Sequence, residues 1–194
     1  VNGVYFVYLY LVIMSLYVSF KKERKAVLQK KLAKTNTLQV PEIDKVVVAV
    51  GIGSLATRKG VKDFSDIEKN LMTITGQKPQ MILSKQSISN FKLREDMPVM
   101  LRCTLRAKKA YDFLDRLVQL VLPRVRDFQG IHQKKFDGRG NYTFGLPSQA
   151  VFAEINLEEL TTPIGIQITI VTTTTIDEEA KALLESLGFI FLKI

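Results

Sequence analysis

The chain has 194 residues, which is enough for one hydrophobic core, and its composition of 46% apolar and 24% charged residues is ordinary for a globular protein. The formal net charge of +9 favours a polyanionic partner, because lysine and arginine displace the counterions that condense on phosphates. Cys103 is the only cysteine, which excludes a disulfide framework within the chain and is typical of a reducing compartment.

An apolar run extends from Val4 to Met14, and no charged residue occurs before Lys21. Such a run invites a transmembrane or signal-anchor interpretation, so a membrane-anchored basic protein is one alternative. Four tyrosines in the first 17 residues weaken the hydrocarbon character of the run, and no small-residue cleavage site follows it. We therefore expect no membrane partner, and we expect residues 1–13 to be an upstream-translation artefact before a start at Met14. The intact mass of the natural protein tests this expectation.

The segment 21–34 contains seven basic residues and a single acid, Glu23. Its apolar residues are spaced for one side of a helix: Ala26, Val27, Leu28 and Leu32. The pattern predicts a basic amphipathic helix. Helices of this kind bind membranes or calmodulin-like partners, or they dock on their own domain and present lysine side chains to RNA.

A strand and a helix are predicted next. The segment Lys45–Val50 is rich in β-branched residues and is followed by Gly51, which is typical of a strand and its end. Apolar residues then recur at intervals of three and four over residues 63–74, which predicts a helix. Asp63 suits the start of that helix and Gly76 suits its end.

Gly51, Gly53 and Ala56 have the spacing of a dinucleotide-binding fingerprint. An NAD(P)-dependent oxidoreductase that uses these residues is therefore a second alternative. A Rossmann unit also needs a second parallel strand that ends in an acid about twenty residues later, and the predicted helix over residues 63–74 occupies that place. We therefore expect neither a nucleotide site nor any other cofactor.

The segment Met97–Ala107 alternates apolar and polar residues with the period of a strand. One face is predicted to be core: Val99, Leu101, Cys103, Leu105 and Ala107. The other is predicted to be open and basic: Met100, Arg102, Thr104 and Arg106. A flat surface of this kind can meet a phosphate backbone, because arginine binds phosphate oxygens in a fork and threonine adds a hydrogen bond. An ordinary solvated strand face is the alternative.

Helices and strands also alternate in the C-terminal half. Residues 109–122 are predicted to form an amphipathic helix, and residues 165–170 a half-buried strand. The three acids at 177–179 suit a helix N-terminus, where unpaired amides favour carboxylates. These patterns predict an α+β two-layer sandwich, in which an antiparallel sheet has one exposed RNA-binding face and helices pack on the other. We expect a single domain over residues 14–194.

The residues that could carry catalysis do not form a set. His132 is the only histidine and lies in a predicted loop, whereas Cys103 points with the core residues of its strand. The sequence indicates no pair of groups suited to acid–base, nucleophilic or metal chemistry. The protein is therefore predicted not to be an enzyme and to hold no metal.

Four separated segments carry a resemblance to a known family. They are Ile74–Pro79, Asn90–Arg94, Val151–Ile155 and the glycine-punctuated basic loop at residues 123–146. In order, from about Met14 to the C-terminus, the chain resembles the bacterial-type ribosomal protein L-five family of the large subunit. The resemblance implies a structural protein that binds 5S rRNA and helps attach it to 23S rRNA in the central protuberance. It implies a cytoplasmic ribosome and leaves an organellar ribosome open.

The resemblance, together with the basic strand face, assigns residues to three surfaces. The residues expected to bind 5S rRNA are Gln77, Lys78, Arg102, Thr104 and Arg106. Those expected to face the transfer RNA in the peptidyl site are Ser87, Asn90, Phe91, Lys92 and Arg94. Those expected to contact protein S-thirteen in the small-subunit head are Arg126, Lys134, Lys135 and Arg139. From local sequence alone, Phe91 either stacks on a partner or packs inward.

Ala49 departs from the family pattern, because the family commonly carries an asparagine at this position. An alanine side chain donates no hydrogen bond, so the contact is lost or shifts to a neighbour such as Ser54. Such a loss costs about 1 kcal/mol, which is too little to abolish an interface with many contacts.

Overall fold

The computed structural model describes residues 16–58, 60, 63–155 and 163–192. Among them, the α-helices are α1 (Leu16–Ser19), α2 (Lys25–Lys31), α3 (Gly53–Arg58), α4 (Ser65–Thr75), α5 (Ala107–Arg116) and α6 (Asp177–Ser186). The strands are β1 (Ile43–Gly51), β2 (Gln80–Leu83), β3 (Pro98–Arg106), β4 (Tyr142–Leu146) and β5 (Ile166–Thr172). The expectation about residues 1–13 lies outside the described residues. Within the described part of the chain, no helix is long and apolar enough to cross a membrane.

The strands form a five-stranded antiparallel sheet in the order β2-β3-β1-β5-β4. In the hairpin of β2 and β3, Gln80 lies opposite Arg102 and Met81 lies opposite Leu101. The sheet and the helices make an α+β sandwich, so the predicted fold class is confirmed. Strands β3, β4 and β5 contribute alternate apolar residues to the core, because successive side chains point to opposite faces.

The described residues form two compact units. The first comprises residues 16–45, Arg106–Tyr142 and 171–192, and the second comprises residues 46–58, 60, 63–105, 143–155 and 163–170. In the first unit, the rings of Phe20 and Tyr111 pack with centroids 5.4 Å apart. In the second, Leu71 and Ile74 of α4 are buried with the inward residues of the strands. The single domain over residues 14–194 stays a prediction.

The basic N-terminal helix differs from its prediction. A π-helical segment, Phe20–Arg24, precedes α2. Leu28 is buried as predicted, but the side chain of Val27 is 67% exposed and Ala26 is exposed as well. The predicted apolar side was therefore wrong for Val27 and Ala26, because a regular helix turns about 100° per residue and carries both away from the side of Leu28.

The central helix and the last helix agree with their patterns. An oxygen of Asp63 accepts a hydrogen bond from the backbone N–H of Ser65 at 2.9 Å, which stabilises the start of α4. Gly76 ends that helix in the left-handed region, with φ of 65°. The first turn of α6 holds the three predicted acids. Burial of Ile166, Ile168 and Ile170 confirms the alternation of β5.

Two boundaries near the strands were predicted incorrectly. Ala107 is exposed and begins α5 with φ of 48°, so it is not the last core residue of β3. The predicted loop over residues 123–146 ends in a strand, β4. Gly145 lies within β4, and a glycine inside a short strand weakens the sequence signal for it.

Candidate nucleic-acid interface

The exposed face of β3 carries the basic residues that the alternation predicted. Leu101 and Leu105 are fully buried, whereas Arg102 and Arg106 are exposed. Thr104 lies between the two arginines and is half-buried. The spacing of two along a strand therefore presents two guanidinium groups and a hydroxyl to solvent on the same face.

Neutral polar residues lie on the same side of β5 and β4, which follow β1 in the strand order. Since Phe144 and Ile168 point into the core, Thr143 and Thr169 point to the open face. Their hydroxyl oxygens are 3.1 Å apart and share a hydrogen bond. Gln167 follows the same alternation and is exposed. The open face thus offers arginine on β3 and hydroxyl and amide groups on β4 and β5.

Gln77 is brought next to Thr104, as the assignment of both to one surface requires. The side-chain amide of Gln77 donates a hydrogen bond to the backbone oxygen of Thr104 at 3.4 Å. The hydroxyl of Thr75 donates to the backbone oxygen of Gln77 at 3.0 Å, which fixes the turn after α4. Lys78 is exposed, and its ammonium lies 3.7 Å from a carboxylate oxygen of Glu68. An exposed pair of this kind is weak, so the ammonium of Lys78 can exchange Glu68 for a phosphate.

Ala49 borders a cleft of about 610 Å³ on the second unit. Ser54 of α3 lines the same cleft, which is the neighbour expected to replace the missing amide. Gln167 and Gly145 also line it. The half-buried strand predicted over residues 165–170 contains Gln167, but the sequence did not assign Gln167 to the site, because its distance from Ala49 depends on strand order.

The connection between β2 and β3 is a structured hairpin end. Ile88 and Leu93 pair as an antiparallel bridge, and Phe91 at the tip is 72% exposed. The alternative in which Phe91 packs inward is therefore wrong. The hydroxyl of Ser87 accepts a hydrogen bond from the backbone N–H of Glu95 at 2.9 Å, so it supports the loop.

The remaining residues assigned to this connection are exposed: Asn90, Lys92 and Arg94. Lys92 adopts the left-handed region with φ of 53°. The backbone N–H of Arg94 donates to the sulfur of Met97 at 3.3 Å. The structure therefore holds the backbone of the connection in place and leaves its cationic side chains outside.

The basic loop after Pro123 also presents its cations to solvent: Arg126, Lys134, Lys135 and Arg139 are all exposed. The hydroxyl of Tyr142 donates to the backbone oxygen of His132 at 2.9 Å, and burial raises the pKa of Tyr142 to about 12. The carboxylate of Asp177 accepts hydrogen bonds from the N–H groups of Gly138 at 3.2 Å and Gly140 at 2.8 Å. The loop is thus anchored from α6, a role of Asp177 that the sequence did not reveal.

Three lysines in and just after the N-terminal helix form ion pairs with carboxylates of the same unit. Lys25 pairs with Glu42, Lys31 pairs with Glu185 at 2.9 Å, and Lys34 pairs with Glu179 at 2.6 Å. The ion pair with Lys34 holds the pKa of Glu179 below its ordinary value. A guanidinium nitrogen of Arg24 donates to the backbone oxygen of Ser186. This helix therefore docks on α6, and several of its cations face acids.

The geometry around the glycine fingerprint does not form a dinucleotide site. Helix α3 has only six residues, and the next described element is the helix α4 and not a parallel strand. Cys103 is buried on β3, while His132 is exposed in a loop of the other unit. Among the described residues, no group of histidine, cysteine and acidic side chains could hold a metal.

An α+β sandwich with an open sheet face of arginine, hydroxyl and amide groups defines a class of protein that recognises and binds nucleic acid. Two family models match the chain: one described as Ribosomal protein L5 over residues 36–94, and one described as the C-terminus of the same ribosomal family over residues 98–191. The chain belongs to the ribosomal protein L5 family, also called uL5, of the large ribosomal subunit.

Curated relatives agree with the family models. The chain is 46% identical over 172 residues to the large ribosomal subunit protein uL5 of Corynebacterium urealyticum, covering 89% of this chain and 88% of that protein. It is 47% identical over 174 residues to the protein of the same name from Nocardia farcinica, covering 90% and 92%. The resemblance stated from the sequence is therefore confirmed, and the oxidoreductase alternative is wrong because this family is not enzymatic. Membership of the family places the protein in the ribosome of the cytoplasm, bound to ribosomal RNA.

Proposed function

We propose that the protein binds 5S rRNA through the exposed face of β3. The observation that carries this proposal is the position of two exposed guanidinium groups, Arg102 and Arg106, on either side of Thr104, to which Gln77 is hydrogen-bonded. Two fixed cations with neutral hydrogen-bonding groups between them suit a sugar–phosphate backbone.

Each residue has a distinct part in this interface. Arg102 and Arg106 bind phosphate oxygens in a fork, which provides charge and orientation. Thr104 and Gln77 reach sugar or phosphate oxygens without displacing counterions, and Lys78 adds a cation at the end of the surface. Near Ala49, Ser54 provides the hydroxyl that replaces the missing amide. Recognition of this kind reads the shape and the backbone of the RNA.

The proposal extends to the neighbours of 5S rRNA in the ribosome. The protein helps attach 5S rRNA to 23S rRNA in the central protuberance of the large subunit. The Ser87–Arg94 connection faces the transfer RNA in the peptidyl site. The loop with Arg126, Lys134, Lys135 and Arg139 contacts protein S-thirteen in the head of the small subunit. The exposure of the cations in both loops supports these assignments.

The double variant Arg102→Ala, Arg106→Ala tests the 5S surface. Its affinity for 5S rRNA should fall about tenfold or more at moderate salt, because two charge-assisted contacts are lost. The slope of log affinity against log salt should flatten by somewhat less than one unit for each lost phosphate contact, about 1.5 in all. Filter binding or fluorescence anisotropy over a salt series measures both quantities.

The control for this experiment is the double variant Lys135→Ala, Arg139→Ala. It also removes two positive charges, but from the basic loop after Pro123. It should leave the 5S affinity within about twofold, since only long-range attraction is reduced. In reassembled ribosomes, the control variant should weaken subunit association more than the Arg102→Ala, Arg106→Ala variant does. Equal effects of both variants on 5S binding would show that net charge, and not the β3 face, holds the RNA.

A further inference from the structure

The basic loop after Pro123 contains one peptide bond that is chemically prone to rearrange. Asp137 is the only aspartate of the chain that is followed by glycine, and both residues are exposed. Glycine has no side chain to shield its amide nitrogen, so in a flexible chain this nitrogen can attack the carboxyl carbon of the preceding aspartate. The bond between Asp137 and Gly138 therefore has the chemistry that forms isoaspartate.

The rearrangement needs no reagent other than water. The amide nitrogen of Gly138 loses its proton and bonds to Cγ of Asp137, and one carboxyl oxygen leaves as water, which closes a cyclic succinimide. Water then adds to one of the two ring carbonyls. Opening at one carbonyl restores aspartate, whereas opening at the other routes the main chain through the side chain as isoaspartate. The overall mass is unchanged, and the reaction requires the nitrogen and the carboxyl carbon to be free to meet.

The attacking nitrogen is already engaged in the folded protein. The N–H of Gly138 donates to one carboxylate oxygen of Asp177 at 3.2 Å, and the N–H of Gly140 donates to the other at 2.8 Å. Asp177 is half-buried at the start of α6, so the helix and not the loop fixes its position. The nitrogen of Gly138 must therefore break its hydrogen bond to Asp177 before it can turn to Cγ of Asp137.

The carboxyl group of Asp137 is held as well, by donors from the residues after Gly138. One oxygen accepts hydrogen bonds from the backbone N–H of Arg139 at 2.8 Å and of Asn141 at 3.0 Å. The other accepts one from the side-chain amide of Asn141 at 2.8 Å. These bonds, mainly the one from the Asn141 side chain, hold the pKa of Asp137 below its ordinary value. The group thus stays ionised, which is its less reactive form because a carboxylate oxygen is a poor leaving group.

We propose that Asp137 and Gly138 form a latent isoaspartate site, which Asp177 and Asn141 keep closed by holding the reacting nitrogen and carboxyl group in place. Isoaspartate would insert a methylene into the main chain and displace the carboxylate that binds the N–H groups of Arg139 and Asn141. The end of the basic loop would then lose its internal hydrogen bonds. This inference concerns the chemistry of the loop itself and is independent of the partner that the loop contacts.

Ageing of the purified protein at neutral pH and physiological temperature tests the proposal. Trypsin releases residues 136–139, and reversed-phase chromatography separates the two isomers of this peptide, which are identified against synthetic standards. A synthetic peptide of residues 134–143 gives the rate without a fold. We expect isoaspartate to form in the folded wild type roughly tenfold more slowly than in the peptide, or slower still, because the reaction must wait for local opening of the loop.

Two variants should release the site. Asp177→Ala should raise the rate about fivefold over wild type, because the N–H of Gly138 loses its acceptor. Asn141→Ala should also raise it, since the carboxyl group of Asp137 loses the donor that chiefly lowers its pKa. Glu178→Ala is the matched control, because Glu178 is exposed in the same helical turn as Asp177, and its rate should stay within about twofold of wild type.

Urea denaturation of each variant separates local release from general unfolding. The unfolded fraction multiplied by the peptide rate is the contribution of global unfolding, and it is subtracted before the variants are compared. A folded wild type that reacts as fast as the peptide would overturn the proposal, and so would an unchanged rate in Asp177→Ala. If Asp177→Ala does not fold, Asn141→Ala decides in the same way.

Discussion

Gly140 lies in a conformation and a space that suit glycine alone. Its φ is 76°, and a Cβ atom added there would lie 2.2 Å from the backbone oxygen of Thr174. Its own backbone oxygen accepts a hydrogen bond of 2.7 Å from the buried hydroxyl of Thr172. The end of the basic loop is therefore fixed by a close approach of two backbone segments.

Substitution of Gly140 by alanine should strongly destabilise the protein. We expect Gly140→Ala to lower the free energy of unfolding by about 3 kcal/mol or more, since left-handed strain adds to a contact that only backbone movement can relieve. Gly138→Ala is the matched control, because Gly138 has φ of 77° and a Cβ atom added there would meet no other atom within 4 Å. Gly138→Ala should lower the free energy of unfolding by only about 1 kcal/mol. Urea denaturation measures both, and similar losses would contradict the role of the close approach.

Single residues were predictable where the strand period alone decides their exposure. Arg102 and Arg106 follow from the alternation of β3, and the structure agrees. The hydrogen bond from Glu95 to Ser87 and the position of Gln167 beside Ala49 depend on turn geometry and strand order. Such contacts are tertiary, and one sequence contains no periodic signal for them.

At the scale of elements, α6 positions the basic loop through the carboxylate of Asp177. Removing it in Asp177→Ala should increase amide hydrogen exchange at Gly138 and Gly140, because their N–H groups lose their acceptor. Exchange within β4 should change less. The control is Glu178→Ala, since Glu178 is exposed in the same helical turn. Unchanged protection in Asp177→Ala would mean that the loop is held by other contacts.

The contact between the N-terminal helix and α6 should depend on pH through Glu179. Its pKa is lowered mainly by its ion pair with Lys34, and the hydroxyl of Thr174 adds a hydrogen bond. A lowered folded pKa contributes stability above the unfolded value, and this stability is lost as the pH falls through the folded pKa. Wild type should therefore exceed Glu179→Gln in unfolding free energy near pH 7, by about 1 kcal/mol, and the difference should vanish on acidification.

Denaturation at a series of pH values from 7 to about 3 measures this difference. Glu178→Gln is the control, because it removes an exposed carboxylate from the same turn. Its difference from wild type should stay small and nearly constant across the series. A difference for Glu179→Gln that grows on acidification would have the wrong sign for a carboxylate stabilised in the folded state.

Elements with one regular period were predicted well, and irregular ones were not. The alternation of β5 and the three- and four-residue spacing of α4 gave nearly correct elements. In α2, Val27 was assigned to the wrong side, because it lies about 100° around the helix from the buried Leu28 and its apolar character alone does not fix its orientation. In β4, only Tyr142, Phe144 and Leu146 carry the strand pattern, and the glycines before it favour a loop.

At the scale of the whole molecule, the boundaries between the two compact units fall inside strands. They lie after Lys45 in β1, after Leu105 in β3, after Tyr142 in β4 and after Ile170 in β5. Independent domains are usually separated in flexible linkers, which these strands are not. We therefore propose that residues 14–194 behave as a single domain.

Hydrogen exchange over a urea series tests this proposal. Core amides of β1 near Val48 and of α5 near Leu114 should have the same opening free energy and the same dependence on urea, since one cooperative transition exposes both. Mass spectrometry of the two peptides measures this in one sample. Exchange of one peptide at clearly lower urea than the other would indicate two domains.

The molecule also separates its charges in a way that net charge alone does not predict. The total is +9, yet lysines in and just after the N-terminal helix face Glu42, Glu179 and Glu185. Exposed cations remain on β3 and in the two loops. Composition indicated the kind of partner, and strand alternation indicated one surface, but the acids that neutralise the helix could be identified only from the fold.

Side chains along β3 alternate with a period of two residues, so the number of residues in the strand matters as much as which residues they are. One extra amino acid inside the strand would turn every following side chain over, bringing Arg106 inward and Leu105 outward. Burying an unpaired guanidinium costs far more than a strand of nine residues can recover. Insertions and deletions should therefore be tolerated in the hairpin ends and excluded from this strand, whatever residue they add.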